Sequence, residues 1–177
     1  MKGTVGSFFT FWDGPNWTKE GWNEIDFELV PSISTPVWTN LIWQNQQMVQ
    51  AGIPNFQPAT DWHEYRIEWT PSYVKWEIDG REVRKIKDTA AVKYLNKPCH
   101  LMMNFWTPTF AGWSDGFDDS TMPWYTRYDE VKVEKYNAVK RNFDFYWRDD
   151  FSSFNSARWF KSDGWTFPEN SSTFYPS

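Results

Sequence analysis

Apolar and polar residues alternate in short runs along most of this chain, and no long segment repeats apolar residues at helical spacing. Period-two alternation is the mark of strands with one buried face. It predicts strands near 4–12, 23–30, 36–44, 62–69, 72–78, 81–87, 99–106, 128–136 and 143–147. The clearest hairpin runs from Tyr73 to Ile86. Val74, Trp76 and Ile78 alternate there with Lys75 and Glu77, and Asp79-Gly80 is a dipeptide that favours a type I′ turn. Loops rich in Pro, Asn and Gly are expected at 13–21, 52–60 and 107–123, with one short helical turn near 88–95. Many short strands with almost no helix predict one all-β domain, an antiparallel sandwich or barrel.

Composition sharpens this picture. The 177 residues include fourteen Trp, fifteen Phe and eight Tyr but only four Leu. Aromatics favour strands, and Leu scarcity argues against a helical core. That many Trp exceeds what one core needs, which points to a surface that stacks flat ligands such as sugar rings or bases. The net charge of −5 separates those two: a nucleic acid wants the opposite sign, so a neutral polar polymer is favoured. Cys99 stands alone, which excludes an internal disulfide, and with His63 and His100 as the only histidines a multi-His metal site is not expected. No apolar run reaches membrane-spanning length, so no membrane partner is expected. Asn16-Trp17-Thr18 and Asn170-Ser171-Ser172 are glycosylation sequons.

The sharpest feature is Trp22-Asn23-Glu24-Ile25-Asp26-Phe27-Glu28-Leu29. On a strand Glu24, Asp26 and Glu28 share one face, and Ile25, Phe27 and Leu29 share the other. No Lys or Arg interleaves the acids. A solubilising face would mix signs, although a purely structural acidic face and an oxygen-rich calcium site are alternatives. Close carboxylates push their pKa values apart, so one stays ionised while another holds a proton. Glycoside hydrolysis needs that pair, about 5–5.5 Å apart in retaining enzymes. Cα atoms four residues apart on a strand lie about 13 Å apart, so the two Glu side chains must lean inward over Asp26.

These residues carry a resemblance. The E-x-D-x-E spacing of WNEIDFEL resembles the signature of family 16 glycoside hydrolases, in the form found in lichenases and plant xyloglucan-active enzymes. Ser7-Phe8-Phe9-Thr10-Phe11 resembles the strand that precedes the signature. His63-Glu64-Tyr65, Glu68-Trp69-Thr70-Pro71 and the Trp76/Asp79-Gly80 hairpin resemble the family's H-x-Y…W-x-P…W-x-x-D-G stretch. Met102-Met103-Asn104-Phe105-Trp106 resembles its M-M-N-L-W strand, and Tyr128-Asp129-x-Val131 the strand near its usual end. Phe151-Ser152-Ser153-Phe154-Asn155, Arg158-Trp159 and Asp163-Gly164-Trp165-Thr166-Phe167 resemble the segment that opens an ordinary lichenase, yet here they come last.

The resemblance therefore implies a circularly permuted, concanavalin-like β-jelly roll of two curved antiparallel sheets. Residues 1–136 would form the catalytic core segment, 137–143 a linker joining the former ends, and 144–177 the permuted N-terminal segment. Some edge strands would be missing, one after Ser177 and one before Met1. It implies retaining endo-hydrolysis of β-1,3-1,4-glucan by a secreted enzyme with no cofactor needed for catalysis. Glu24 would be the nucleophile, Asp26 its helper and Glu28 the acid/base. Phe9, Phe11, Trp22, Asn40, Asn104, Trp106, Trp113 and Trp165 would contact the glucan, and Asp129 would bind a structural calcium. Trp69, Trp76 and Trp159 are assigned to packing, and His63 to a hydrogen-bonded structural role. A glucan transglycosylase and a catalytically incomplete carbohydrate-binding jelly roll stay open as alternatives. The protein is expected to be a monomer unless another chain supplies the missing strands.

Overall fold

The computed structural model describes residues 2–44, 47–87, 89–110, 112–120 and 122–176, with only the backbone given for Trp17 and Thr18. Its strands are β1 (Val5–Phe11), β2 (Glu24–Leu29), β3 (Val37–Trp43), β4 (Gln47–Ile53), β5 (Tyr65–Trp69), β6 (Tyr73–Ile78), β7 (Arg81–Lys87), β8 (His100–Trp106), β9 (Val131–Asn137) and β10 (Asn142–Asp149). Two short helices interrupt them, α1 (Trp17–Glu20) and α2 (Ala90–Tyr94). The strands form three antiparallel sheets, ordered β4-β3-β2-β1-β8, β5-β6-β7 and β10-β9. The all-β expectation holds.

The core lies between the first two sheets. Ile25, Phe27, Val37 and Leu41 point down from the five-stranded sheet onto Val74, Trp76 and Ile78 of the three-stranded one, and Ala91, Val92 and Leu95 close one side. Trp76 is fully buried and its indole N–H donates to the Asp26 carbonyl at 2.9 Å, so the packing assignment for Trp76 is correct. Arg84 reaches in beside it. Its guanidinium lies 5.0 Å from the Trp76 ring and donates to the Thr39 carbonyl at 2.7 Å and the Thr39 hydroxyl at 2.8 Å. The two sheets are thus joined by apolar burial and by directed donors from β6 and β7 to β2 and β3.

The predicted hairpin forms as read. Asp79 and Gly80 both take positive φ, 51° and 72°, as a type I′ turn requires. The Asp79 carboxylate accepts from the Glu64 amide at 2.9 Å and meets His63 Nδ1 at 2.8 Å, which gives His63 its structural role. On the outer face, buried Glu68 is held by Lys75 at 2.8 Å, Arg66 at 3.1 Å and the Tyr73 hydroxyl at 3.1 Å. Arg66 also pairs with Glu134 of β9 at 3.1 Å, which ties the two-stranded ribbon to this sheet.

Three readings shift. The segment 47–53 is a strand, β4, not anticipated because its alternation is broken by Gln47, Gln50 and Gly52. Part of the loop at 13–21 forms the four-residue α1. The expected linker 137–143 is a hairpin turn: its ends belong to β9 and β10, and only 138–141 turn between them. The helical turn near 88–95 appears as α2, capped by the Thr89 hydroxyl accepting from the Val92 amide at 3.4 Å. Asn170 is buried and its side-chain oxygen accepts from the Thr107 amide at 3.2 Å and the Ser172 hydroxyl at 2.8 Å, so this sequon is built into the fold.

Because Trp76 combines volume with a buried hydrogen bond, Trp76→Ala should lower the unfolding free energy by about 3–5 kcal/mol. Trp76→Phe, which keeps most of the volume, should cost about 1–2 kcal/mol for the lost donor. Urea titration followed by circular dichroism measures both.

Candidate active site

Strand register sets the site. Across the face opposite the core, the five-stranded sheet lays down three rows. Gly52, Trp38, Glu28, Ser7 and Asn104 stand side by side in the first, Gln50, Asn40, Asp26, Phe9 and Met102 in the second, and Met48, Ile42, Glu24, Phe11 and His100 in the third. The three acids occupy the central strand, so each is flanked by neighbours on both sides. Asp26 is buried, and Glu24 and Glu28 are half-buried at the surface of this face. The start of β2 is pinned by Asn23, whose side-chain oxygen accepts from the Asn96 and Lys97 amides, each at 3.0 Å.

The acids are not equivalent. Burial is the largest influence on all three and pushes every one upward. Glu24 rises to about 7, held back by the Trp22 indole and by a hydrogen bond from Asp26. The Trp22 N–H donates to Glu24 Oε2 at 2.6 Å. Asp26 is pushed well above the carboxylate range by burial, then by the charges of Glu24 and Glu28, so it holds its proton and donates to Glu24. Asn40 opposes this by donating to Asp26. Glu28 rises to about 8 through burial and the charge of Glu24, with Gln50 as the opposing hydrogen-bond partner. The two glutamates thus differ, Glu28 being raised further than Glu24, with Asp26 raised between them.

The aromatic positions fall into two groups. Around Glu24 lie Trp22, Phe11 at 6.2 Å from it, and Phe9 at 6.5 Å from Phe11. Beyond Glu28 lies a wall of rings. Trp106 donates its N–H to the Ser7 hydroxyl at 3.3 Å and meets Trp113 at 6.0 Å and Phe167 at 5.1 Å. Trp113 stacks on Phe110 at 5.8 Å, and Trp165 stacks on Phe174 at 5.8 Å while touching Phe167 at 5.7 Å. Trp106 is buried within this wall, and Trp165, 53% exposed, lies at its outer side. Asn40 is buried, and its side-chain oxygen accepts from the Leu41 amide at 2.9 Å, so its position serves the acid row and the backbone. Asn104 stands half-buried in the first row.

Sequence reading did not single out Ser7, Trp38 or Gln50. Period-two parity from Glu28 and the hairpin register would have found them, but β4 was not foreseen and Trp38 carries no signal that separates it from the chain's other aromatics. Asp129 is exposed just before β9, and among the described residues no three His, Cys, Asp or Glu gather as a cation site. Cys99 is half-buried and burial pushes its thiol up to about 11, which suits packing and not nucleophilic work.

A family model for glycosyl hydrolases family 16 matches residues 1–134, the part of the chain that carries the whole acid row. The chain belongs to this family. A beta-glucanase of Fibrobacter succinogenes is 34% identical over 179 residues, spanning 96% of this chain and 50% of its own length. One from Paenibacillus polymyxa is 34% identical over 134 residues, 73% of this chain and 52% of its own. The chain therefore spans about half the length of the curated relatives it matches. The solved structure of a Bacillus licheniformis beta-glucanase superposes with a TM-score of 0.57 at 26% identity, covering 68% of this chain and 54% of that one. The jelly-roll fold class expected from sequence accords with that likeness.

Two outcomes follow from the electrostatics. Trp22 lowers the pKa of Glu24, so Trp22→Phe should raise it. If Glu24 works as a carboxylate, the acid limb of the pH–kcat/KM profile then moves to higher pH. Burial pushes Glu28 up to about 8 in the folded protein, against its ordinary 4.5. Between those values the folded state binds a proton that the unfolded state has released, so stability falls as pH rises through that window. Glu28→Gln should therefore raise Tm at pH 9 relative to wild type and leave it little changed at pH 4, as read by scanning calorimetry.

Proposed function

We propose that this protein hydrolyses β-1,3-1,4-glucan internally, with retention of configuration. The observation that carries the reading is the acid row, in which Glu24, held by the Trp22 indole N–H, and Glu28, raised further by burial and the charge of Glu24, share one face of one strand. Glu28 donates its proton to the glycosidic oxygen while Glu24 attacks the anomeric carbon and forms a glycosyl ester. That step removes the negative charge of Glu24, one of the influences that raises Glu28. Glu28, now a carboxylate of lower pKa, takes a proton from water, and the resulting attack releases the sugar and restores Glu24. Asp26 stays protonated and donates to Glu24, which keeps the nucleophile in place and stabilises the carboxylate as it departs.

The substrate class is supported by the uncharged aromatic and amide lining and by the beta-glucanase relatives. Circular permutation belongs to the same reading. The family model ends at residue 134, whereas the Fibrobacter relative aligns through 96% of the chain. The β9–β10 hairpin turns at 138–141, and the last segment returns to the aromatic wall, where Asn170 bridges Pro108 and Phe167 meets Trp106. A structural calcium at Asp129 is a further part of it, with one carboxylate and neighbouring carbonyls as the hard oxygen donors such an ion takes.

Assayed on lichenan, laminarin, xyloglucan and cellulose, the wild type should release oligosaccharides from lichenan fastest, with the β-anomer appearing first by NMR. Glu24→Gln should lower turnover by at least about 10⁴-fold; residual activity near wild type would remove Glu24 as nucleophile. Chelation with EGTA should lower Tm reversibly if calcium binds, with calcium alone restoring it.

A further inference from the structure

The row that contains Glu28 holds an aromatic side chain that the acid chemistry leaves unused. Trp38 on β3 is directly opposite Glu28 on β2 and directly opposite Gly52 on β4. Glu28 therefore stands between Trp38 on one side and Ser7 and Asn104, followed by the Trp106–Trp113 wall, on the other. Trp38 is half-buried and packs along one edge against the cluster of Val5, Val30 and Trp106. Its far side spreads over β4. A side-chain carbon placed at Gly52 would lie 3.5 Å from ring atoms Cε2 and Cη2 of Trp38, and 2.4 Å from Thr35 Cγ2. Thr35 keeps position 52 free of a side chain, and the indole roofs the space this leaves.

Two physical points give this ring a use. The indole N–H of Trp38 is buried without an acceptor among the described residues. An unpaired buried donor is destabilising, so Trp at this position works against stability, a pattern that marks functional sites. The direction of a bound glucan is also constrained. The two carboxyl groups of a retaining pair flank the scissile bond. Here they are aligned along β2, so the sugar chain crosses the strands. Strands lie about 4.8 Å apart, close to the length of one pyranose ring, so the sugar beside the scissile bond on the β4 side falls over β3.

We propose that Trp38 is the platform for the sugar next to the scissile bond on the β4 side, that this is the leaving-group side, and that Trp38 sets the requirement for a sugar there. This rests on the glucanase reading above. The flat ring presents its face to the C–H groups of that sugar, and a small leaving group that carries no sugar does not use it.

The test compares lichenan with an aryl β-glucoside oligomer whose leaving group is a phenol. Trp38→Ala should lower kcat/KM on lichenan about tenfold, mostly through KM, and leave the aryl substrate within about twofold of wild type. Trp38→Phe keeps the packing against Val30 and Val5 and should give a smaller loss on lichenan and none on the aryl substrate. Equal losses on both substrates, or no loss on either, would overturn the proposal. Binding is measured separately by affinity electrophoresis through lichenan gels, with Glu24→Gln against Glu24→Gln/Trp38→Ala. Weaker retardation of the double variant supports the platform even if the wild type proves unable to hydrolyse any glucan, an outcome that sinks the enzymatic reading alone. Equal retardation, or none for either protein, overturns the platform.

Discussion

The structure depends on one strand having two incompatible faces. β2 buries Ile25 and Phe27 against the second sheet while presenting Glu24, Asp26 and Glu28 to the other side. Period-two geometry allows this only if the register is fixed, because a slip by one residue would drive three carboxyls into the core. The register is fixed from below. Trp76 donates to the carbonyl of Asp26, the middle acid, and Arg84 clamps Thr39 on the next strand. A core tryptophan and a half-buried arginine therefore act on the site without touching its open face. The same contacts that hold the sheets together hold the acids in line.

Holding them in line is unfavourable, and the surrounding residues show how the cost is limited. Burial raises all three carboxyls, the charge of Glu24 raises Asp26 and Glu28, and the charge of Glu28 raises Asp26 as well. The fold does not neutralise them with Lys or Arg. It supplies single neutral donors instead: Trp22 to Glu24, Asn40 to Asp26 and Gln50 to Glu28. A cation would fix every acid as a carboxylate. Neutral donors moderate the upward shifts and leave them different. Stability is given up above neutral pH in exchange for that difference.

Most of this was legible in the chain, for reasons that differ by element. β2 announces itself because acids and apolar residues alternate strictly over six positions, and the Asp79-Gly80 turn because both residues tolerate positive φ. β4 was hidden because it is an edge strand: with one face open and one edge unpaired, Gln47, Gln50 and Gly52 are tolerated where a central strand would not accept them. The rows across the sheet were hidden with it, since rows need register, and register is a property of pairs of strands. Side-chain direction was out of reach as well. Trp22 is expected from sequence as a glucan contact; that its N–H also donates to Glu24 depends on χ angles no pattern encodes.

The two ends of the acid row differ in how they are built. The strand partners of Glu24 come from β1 and β3, with Trp22 just before β2, all within the first 42 positions. The wall beyond Glu28 is assembled from distant parts of the chain: Val5, Trp38, Trp106 and Trp113, then Phe167 and Phe174. Among the described residues after Tyr136, Asn170 is the one buried side chain, and it is held by hydrogen bonds to Thr107 and Ser172. The last segment therefore contributes little to the main core and much to one end of the site. Glu24 is placed by pairing among β1–β3 together with the Trp76 and Asn96 contacts to β2, whereas the aromatic wall depends on the return of the last segment of the chain. Changes in residues 165–174 should then disturb the aromatic wall far more than the acid row, whose hydrogen-bond partners Trp22, Asn40 and Gln50 lie on or beside β2, β3 and β4.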